Sequence, residues 1–435
     1  METEKTLSRR SALKTGAIIA PFGILASQSL GEPSDKLNVA CIGCGGKGRS
    51  DVADVAGENI VGLCDVDSAR AASTFKKHPD VPKFKDYRRM LEKLDKQIDA
   101  VTISTPDHTH YPAAMMAIEM GKHVFVQKPM AHTVWEVRQL MAAAKRNNVV
   151  TQMGIQGHSH DGTRRLKEWI AAGAIGDVRE IHYWTNRPIW PQGIYTPTDK
   201  PAVPGSLDWN LWLGTAPQRA YNPAYAPFAW RGWWDYGCGA LGDIGCHAMD
   251  AAFWALDLGA PTSVAAETSL QTDDVAPAWS KVTYEFPALG NRPGIKVLWH
   301  DGGQKPERPE ALEEGRDLNE GIGGQLLYGD KGVIMADTYC KSPRLIPETS
   351  MREFMPNAPE KSIPNSPGHM KEFLMACKGE GTPGASFDFS GPLTEMVLLG
   401  NLAVRTRKHL KWDSANMRTD DKDANQYLTK AYRKF

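Results

Sequence analysis

An apolar strand that runs straight into a glycine-rich loop and then into a helix leaves a chain few folds to choose from. The stretch "KLNVACIGCGGKGRSDVADVA" does this, with Gly43, Cys44, Gly45, Gly46, Lys47 and Gly48 at the junction. Glycines there permit a tight turn and let backbone N–H groups approach a pyrophosphate at the helix N-terminus. The G-x-G-x-x-G spacing is common by itself. A strand before it and a helix after it are the context a nucleotide cradle needs. A second strand, "NIVGLCDVD", then reaches Asp65, about 20 residues beyond Gly43, where an acid accepts hydrogen bonds from an adenosine ribose. A carboxylate there repels a 2′-phosphate, so NAD is expected ahead of NADP. Asp67 and Arg70 close by keep NADP open.

The alternation continues downstream. "IDAVTIST", "HVFVQKPM" and "VVTQMGIQ" read as strands, and "YPAAMMAIEMG" and "TVWEVRQLMAAAKRNN" between them as helices. Strands spaced by amphipathic helices predict a parallel, doubly wound sheet, which binds ligands beyond the carboxyl ends of its strands. Two polar clusters fall there: Thr105, Pro106, Asp107, His108, Thr109 and His110, and then Gln127, Lys128 and Pro129. A lysine at a strand end can donate to a substrate hydroxyl, so Lys128 is the residue singled out. His108 with His110, and His158 with His160, read as loop histidines. No metal is expected, and His110 is kept as a candidate facing the substrate.

A chain of 435 residues implies two domains, a nucleotide-binding one over 36–155 and a second over 156–435. Lys plus Arg and Asp plus Glu each number 51, and the basic residues are dispersed, so no nucleic-acid footprint appears. Residues 1–31 read differently. "SRRSALK" precedes the short apolar run "GAIIAPFGILA", which predicts a twin-arginine signal peptide carrying Arg9 and Arg10, cleaved between Ser27 and Gly31. Ala12 departs from the bulky residue usual at that place. The implied partner is the twin-arginine export machinery and the implied location is the periplasm, with no membrane span after processing. The seven cysteines are too scattered for a disulfide framework, and the Cys41–Cys44 pair is read as incidental.

In the second domain tryptophans crowd between glycines and prolines, from Trp184 to Trp254. Most must fill the core. Gln156, Arg187, Trp190 and Trp234 are the substrate-binding candidates, since aromatic faces with polar neighbours suit a polyhydroxylated ring. Trp190 in "NRPIWPQG" is expected to be exposed. The charged segment "GGQKPERPEALEEGRD" is expected to form a mobile loop or lid. In "GDIGCHAMD", a helix would set Asp243 and His247 side by side at i and i+4. His247 then reads as a base, and Asp243 as a partner that fixes a hydroxyl or tunes the imidazole. Cys246 reads as buried filling. Asp250 reads as orienting His247 or capping local structure.

"GCGGKG", "CDVD", "STPDHTH", "VQKP" and "GDIGCHAMD" occur in one order that resembles the Gfo/Idh/MocA oxidoreductases. The resemblance implies a Rossmann domain followed by an α+β domain with a large, open, mostly antiparallel sheet. It also implies a homo-oligomer, dimer or tetramer, formed through that sheet. It casts Lys128 as the active-site lysine and Asp243 with His247 as a D-x-x-x-H pair. Thr105, Pro106, His110 and Gln127 join the cofactor-binding set. Gln127 departs from the family's usual glutamate. The implied activity is NAD- or NADP-dependent oxidation or reduction of a secondary hydroxyl on a sugar, glycoside or cyclitol. Export adds that the cofactor is held tightly and recycled in place. Two alternatives are a redox-assisted glycosidase and a non-catalytic sugar-binding protein. The glycosidase branch carries a tyrosine-proline-threonine-histidine segment instead of lysine-proline, and no such segment occurs here.

Overall fold

The computed structural model describes residues 35–435 except 271, 319 and 320; the expected signal peptide lies outside the described residues. Six strands form the first sheet: β1 (Asn38–Ile42), β2 (Asn59–Cys64), β3 (Lys83–Phe84), β4 (Ala100–Ile103), β5 (His123–Gln127) and β6 (Thr151–Gly154). All pair in parallel in the order β3-β2-β1-β4-β5-β6. The chain winds outward from β1 in both directions, so β1 and β4 flank the crevice where such sheets hold ligands. Between β5 and β6, the helix Val134–Asn147 begins with a complete capping box of Thr133 and Glu136 and ends on left-handed Asn148.

The remaining strands build a nine-stranded sheet. They are β7 (Val178–Thr185), β8 (Ser263–Thr268), β9 (Ser280–Phe286), β10 (Ile295–His300), β11 (Gly323–Gly329), β12 (Gly332–Asp337), β13 (Arg344–Ile346), β14 (Leu410–Asp413) and β15 (Arg418–Thr419). Their order is β13-β12-β11-β7-β10-β9-β8-β14-β15, antiparallel except where β10 returns beside β7. Period-2 alternation turns Ile181, Tyr183, Val282, Tyr284, Val297 and Trp299 into the core and leaves Glu180, His182, Lys281 and Lys296 on the opposite face.

Two helices, Gly239–Ala255 and Phe387–Thr406, are apolar nearly all round and therefore buried. The second lies against both Val134–Asn147 and the second sheet, tying late sequence to the first domain. Between β7 and the helix Gly239–Ala255 the chain makes a long excursion. It is stitched to the first domain by hydrogen bonds from Ser68 N to Ser206 O (3.1 Å), from His108 N to Tyr236 O (3.2 Å) and from Cys238 N to Asp107 Oδ2 (3.1 Å). That excursion forms a wall over the carboxyl ends of the first sheet. The segment expected as a mobile lid is instead packed, with its Leu312 buried in one cluster with Trp184, Leu326 and Met335.

Candidate active site

The glycine loop closes on itself. A Cβ on Gly48 would lie 1.9 Å from Gly43 O, and one on Gly43, whose φ is +82°, would lie 2.5 Å from Ser104 O. Neither position admits a side chain. Asp65 lies just past β2, and its Oδ2 accepts from Cys44 N (2.8 Å) and Gly45 N (3.1 Å), while Oδ1 accepts from Asp67 N (2.9 Å). Burial raises its carboxyl above the ordinary range, against the pull of those three amides. The Cys44 and Gly45 amides are thereby spent on Asp65. Gly46 and Lys47 start the helix Lys47–Asp54 and are the groups placed for a phosphate. Lys47 Nζ meets Asp51 Oδ1 at 2.5 Å. Gln127 Nε2 donates to the other oxygen of Asp51 (2.8 Å), so the glutamine braces the loop's helix while it also lines the cleft.

From this loop a cleft of about 440 Å³ runs to the second domain. Its lining includes Gly43, Gly45, Lys47, Asp65, Thr105, Pro106, Gln127, Lys128, Gln156, Arg187, Asp243 and His247. Sequence candidates as far apart as Gly43 and His247 thus meet. A dinucleotide fits this donor set: a side-chain-free loop, a helix N-terminus and a buried acid at one end, and cations with an imidazole at the other.

At the far end Asp243 is the hub. Lys128 Nζ donates to its carbonyl oxygen (2.5 Å) and its Oδ1 (3.0 Å). Arg231 Nε donates to the same Oδ1 (3.0 Å), and Arg187 Nε lies 3.7 Å from Oδ2. Burial would raise this carboxyl, but the Lys128 and Arg231 cations outweigh it and hold the group well below the usual carboxylate range. Asp243 is therefore a permanent anion that aims a lysine. Its oxygens face the three cations, and its charge also acts on His247, raising that pKa against the larger lowering by burial and Lys128. His247 is buried one turn further on, with its ring edge-on to Tyr339 at 5.0 Å. Burial and the Lys128 charge push its pKa well below 6.5, so the ring is neutral, and its Nδ1 has no hydrogen-bond partner among the described residues.

Several expectations are overturned. Asp250 does not orient His247; its Oδ1 meets His158 Nδ1 at 2.7 Å in the core. His108 and His110 are not loop residues. The helix begins at Asp107, and both rings are buried within it. His110 sits between Pro129 O (2.7 Å) and Thr105 O (2.9 Å), outside the cleft lining, so it braces the two loops that hold the cleft. Trp190 is buried, not exposed, and donates from Nε1 to Gln192 (2.9 Å). Trp234 is likewise buried, beneath the Arg405 guanidinium at 5.2 Å, and away from the cleft. Cys44 contributes its amide to Asp65 and buries its thiol. Cys246 is buried filling as expected. Cys41 and Cys44 are free thiols; burial pushes the Cys41 thiol up to about 12.

Other cleft residues escaped the sequence reading. Arg231, Trp212, Trp230 and Tyr339 line the cleft, as does Asp107 from the first turn of its helix. Burial raises Asp107 to about 7, although Lys128 and Arg231 pull it down. Arg231 had a signal: an arginine embedded in "AWRGWW" must either be paired or serve a site.

Comparison with known proteins agrees with this geometry. Residues 37–155 match a model described as "Oxidoreductase family, NAD-binding Rossmann fold", and 184–315 match "Oxidoreductase family, C-terminal alpha/beta domain". Together these matches span more than half the chain. A levoglucosan dehydrogenase of Pseudarthrobacter phenanthrenivorans is 30% identical over 168 residues, 38% of this chain and 35% of that protein. A D-glucoside 3-dehydrogenase of Escherichia coli is 28% identical over 209 residues, 48% of this chain and 50% of that one. The aligned region thus spans between about a third and a half of these curated relatives. The WlbA dehydrogenase of Bordetella pertussis, solved with NADH and UDP-GlcNAcA, shares the fold with a TM-score of 0.60 at 16% identity, covering 87% of this chain and 99% of that one.

Proposed function

Because the chain belongs to the Gfo/Idh/MocA oxidoreductases, a family with an NAD-binding Rossmann domain, we propose that it oxidises or reduces a secondary hydroxyl of a sugar, glycoside or cyclitol with NAD. The observation that carries this reading is Lys128 Nζ, fixed on Asp243 in the cleft that begins at the glycine loop. The sugar class is supported by relatives named for levoglucosan and D-glucosides. NAD over NADP is supported by the buried Asp65 carboxylate in the same cleft.

The cofactor's contribution is to accept or return the hydride at the carbinol carbon. The chain's own residues handle the oxygen and its proton. An ammonium has three N–H groups, and Asp243 takes two of those on Lys128, leaving one for the reacting oxygen. His247, neutral and one turn from Asp243, accepts the hydroxyl proton during oxidation and returns it during reduction. Gln156 and Tyr339 line the cleft as further polar contacts for a substrate.

The proposal includes export. Arg9 and Arg10 with the apolar run after them support twin-arginine export to the periplasm, where the folded protein would carry its cofactor and recycle it in place. The open face of the second sheet is the proposed contact for a second copy, giving a dimer or tetramer. Incubating the purified protein with a panel of sugars and glycosides tests the activity. Reduced nicotinamide and a keto-sugar with its glycosidic bond intact are expected. Released aglycone without net redox would instead identify a redox-assisted glycosidase, and bound nicotinamide unchanged under every carbohydrate would identify a sugar-binding protein.

A further inference from the structure

The substrate end of the cleft holds more positive charge than its carboxylates answer. Lys128, Arg187 and Arg231 converge on the single carboxylate of Asp243, and their side chains are only 15%, 17% and 22% exposed. Asp107 is the other acid lining this end; it spends Oδ2 on the Cys238 amide. Lys128 has a role at the reacting oxygen. The two arginines exceed what anchoring Asp243 requires.

Their placement is that of a recognition fork. Arg231 is gripped by aromatic faces, with its guanidinium carbon 4.3 Å from the Trp230 ring centroid, 5.0 Å from Phe228 and 5.6 Å from Trp190. Nε is spent on Asp243 and Nη1 on Phe228 O (3.1 Å). Arg187 spends Nη1 on Asn186 (2.5 Å) and faces Asp243 with Nε. Among the described residues, neither Nη2 group has a protein partner, and both arginines line the cleft. Three cations share the one carboxylate of Asp243, so a ligand carboxylate reaching the two Nη2 groups gains charge-assisted hydrogen bonds. The pyrophosphate of a dinucleotide does not answer this charge. Its cradle is at the other end, where Arg70 lies over Gly45 and Gly46.

We propose that the substrate is an acidic sugar, a uronate or aldonate class of molecule, whose carboxylate is received between Arg187 and Arg231 while its carbinol meets Lys128 and His247. This rests on the carbinol-oxidising reading above and narrows its substrate class. The positive charge of an oxidised nicotinamide adds to the same preference.

The test compares glucuronate and galacturonate with glucose and galactose on the cofactor-loaded protein. Affinity is measured by titration calorimetry with NADH bound, and turnover by formation of reduced nicotinamide from NAD. The acids are expected to bind about 10- to 100-fold tighter than the neutral hexoses, as for hydrogen bonds to charged groups. Arg187→Gln, and separately Arg231→Lys, are expected to shrink that ratio to about threefold or less, with thermal unfolding confirming that each variant folds. Equal binding of acids and neutral sugars, binding of neither, or a preference that survives both variants overturns the proposal. If the acids bind through the arginines but no sugar of either kind is oxidised, the carbinol-oxidising reading fails and the charge preference stands.

Discussion

Replacing Lys128 by methionine separates catalysis from architecture. Methionine keeps the unbranched stem and removes the ammonium, with its 2.5 Å contact to the Asp243 carbonyl and its 3.0 Å contact to Oδ1. Breaking a buried ion pair usually costs about 3–5 kcal/mol, because one charge is orphaned. Here Asp243 retains Arg231 at 3.0 Å and Arg187 at 3.7 Å, so the cost should be nearer that of a lost charged hydrogen bond, about 1.5–3 kcal/mol. At about 2–4 °C per kcal/mol, Tm falls by about 3–12 °C. Loss of a charged donor at the reacting oxygen should lower single-turnover hydride transfer by about 10²–10³-fold. Acid unfolding gives an independent reading. The lowered pKa of Asp243 contributes stability that is present above the ordinary carboxylate value of about 3.9 and is lost as pH falls through the lower folded value. In Lys128→Met that loss moves to higher pH. Hydride transfer within about threefold of the parent, in a folded variant, would refute the assignment of Lys128.

His247→Asn should lower hydride transfer by about 10²–10⁴-fold while leaving NAD binding within a few-fold, measured by single turnover and by titration of NADH fluorescence. Asp107→Asn reports on a carboxyl raised to about 7 by burial. A raised pKa contributes stability that is full below the ordinary carboxylate range and is lost as pH rises through about 7. Tm of the parent should therefore decline relative to the variant across that window, and parallel curves would sink the idea. Gly48→Ala should abolish NAD binding without unfolding the second domain, since its Cβ would meet Gly43 O at 1.9 Å. Near-normal cofactor affinity in that variant would contradict the cradle.

The first domain was legible because its signals are local. The strand, glycine loop, helix and acid lie within one short stretch, and β4, β5 and β6 lie within the segments that periodicity marks. Lys128 was legible for a related reason: parallel strands end on one side, so a polar residue just past β5 has few places to go. Short elements without strong periodicity, such as β3, were not visible. The helix start at Asp107 was missed because Pro106 and two histidines read as a loop, whereas Pro106 is the N-cap and the histidines pack inward on carbonyls.

The aromatic residues failed for a different reason. Trp190, Trp212, Trp230 and Trp234 share a composition but not a fate, and only the path of the excursion after β7 decides which of them reach the cleft. The same path explains why Asp243 and His247, adjacent on one helix face, have different neighbours. Arg231 and Arg187, carried by the excursion, and Lys128, from the first domain, reach Asp243, while Tyr339, from the turn after β12, reaches His247. One turn of helix thus divides a charged station from a neutral one. A lysine held by a permanent carboxylate is suited to polarising an oxygen. A buried imidazole denied positive charge by that lysine stays unprotonated and is suited to receiving the proton. The division of labour between the two follows from which neighbours the excursion delivers to each end of that turn.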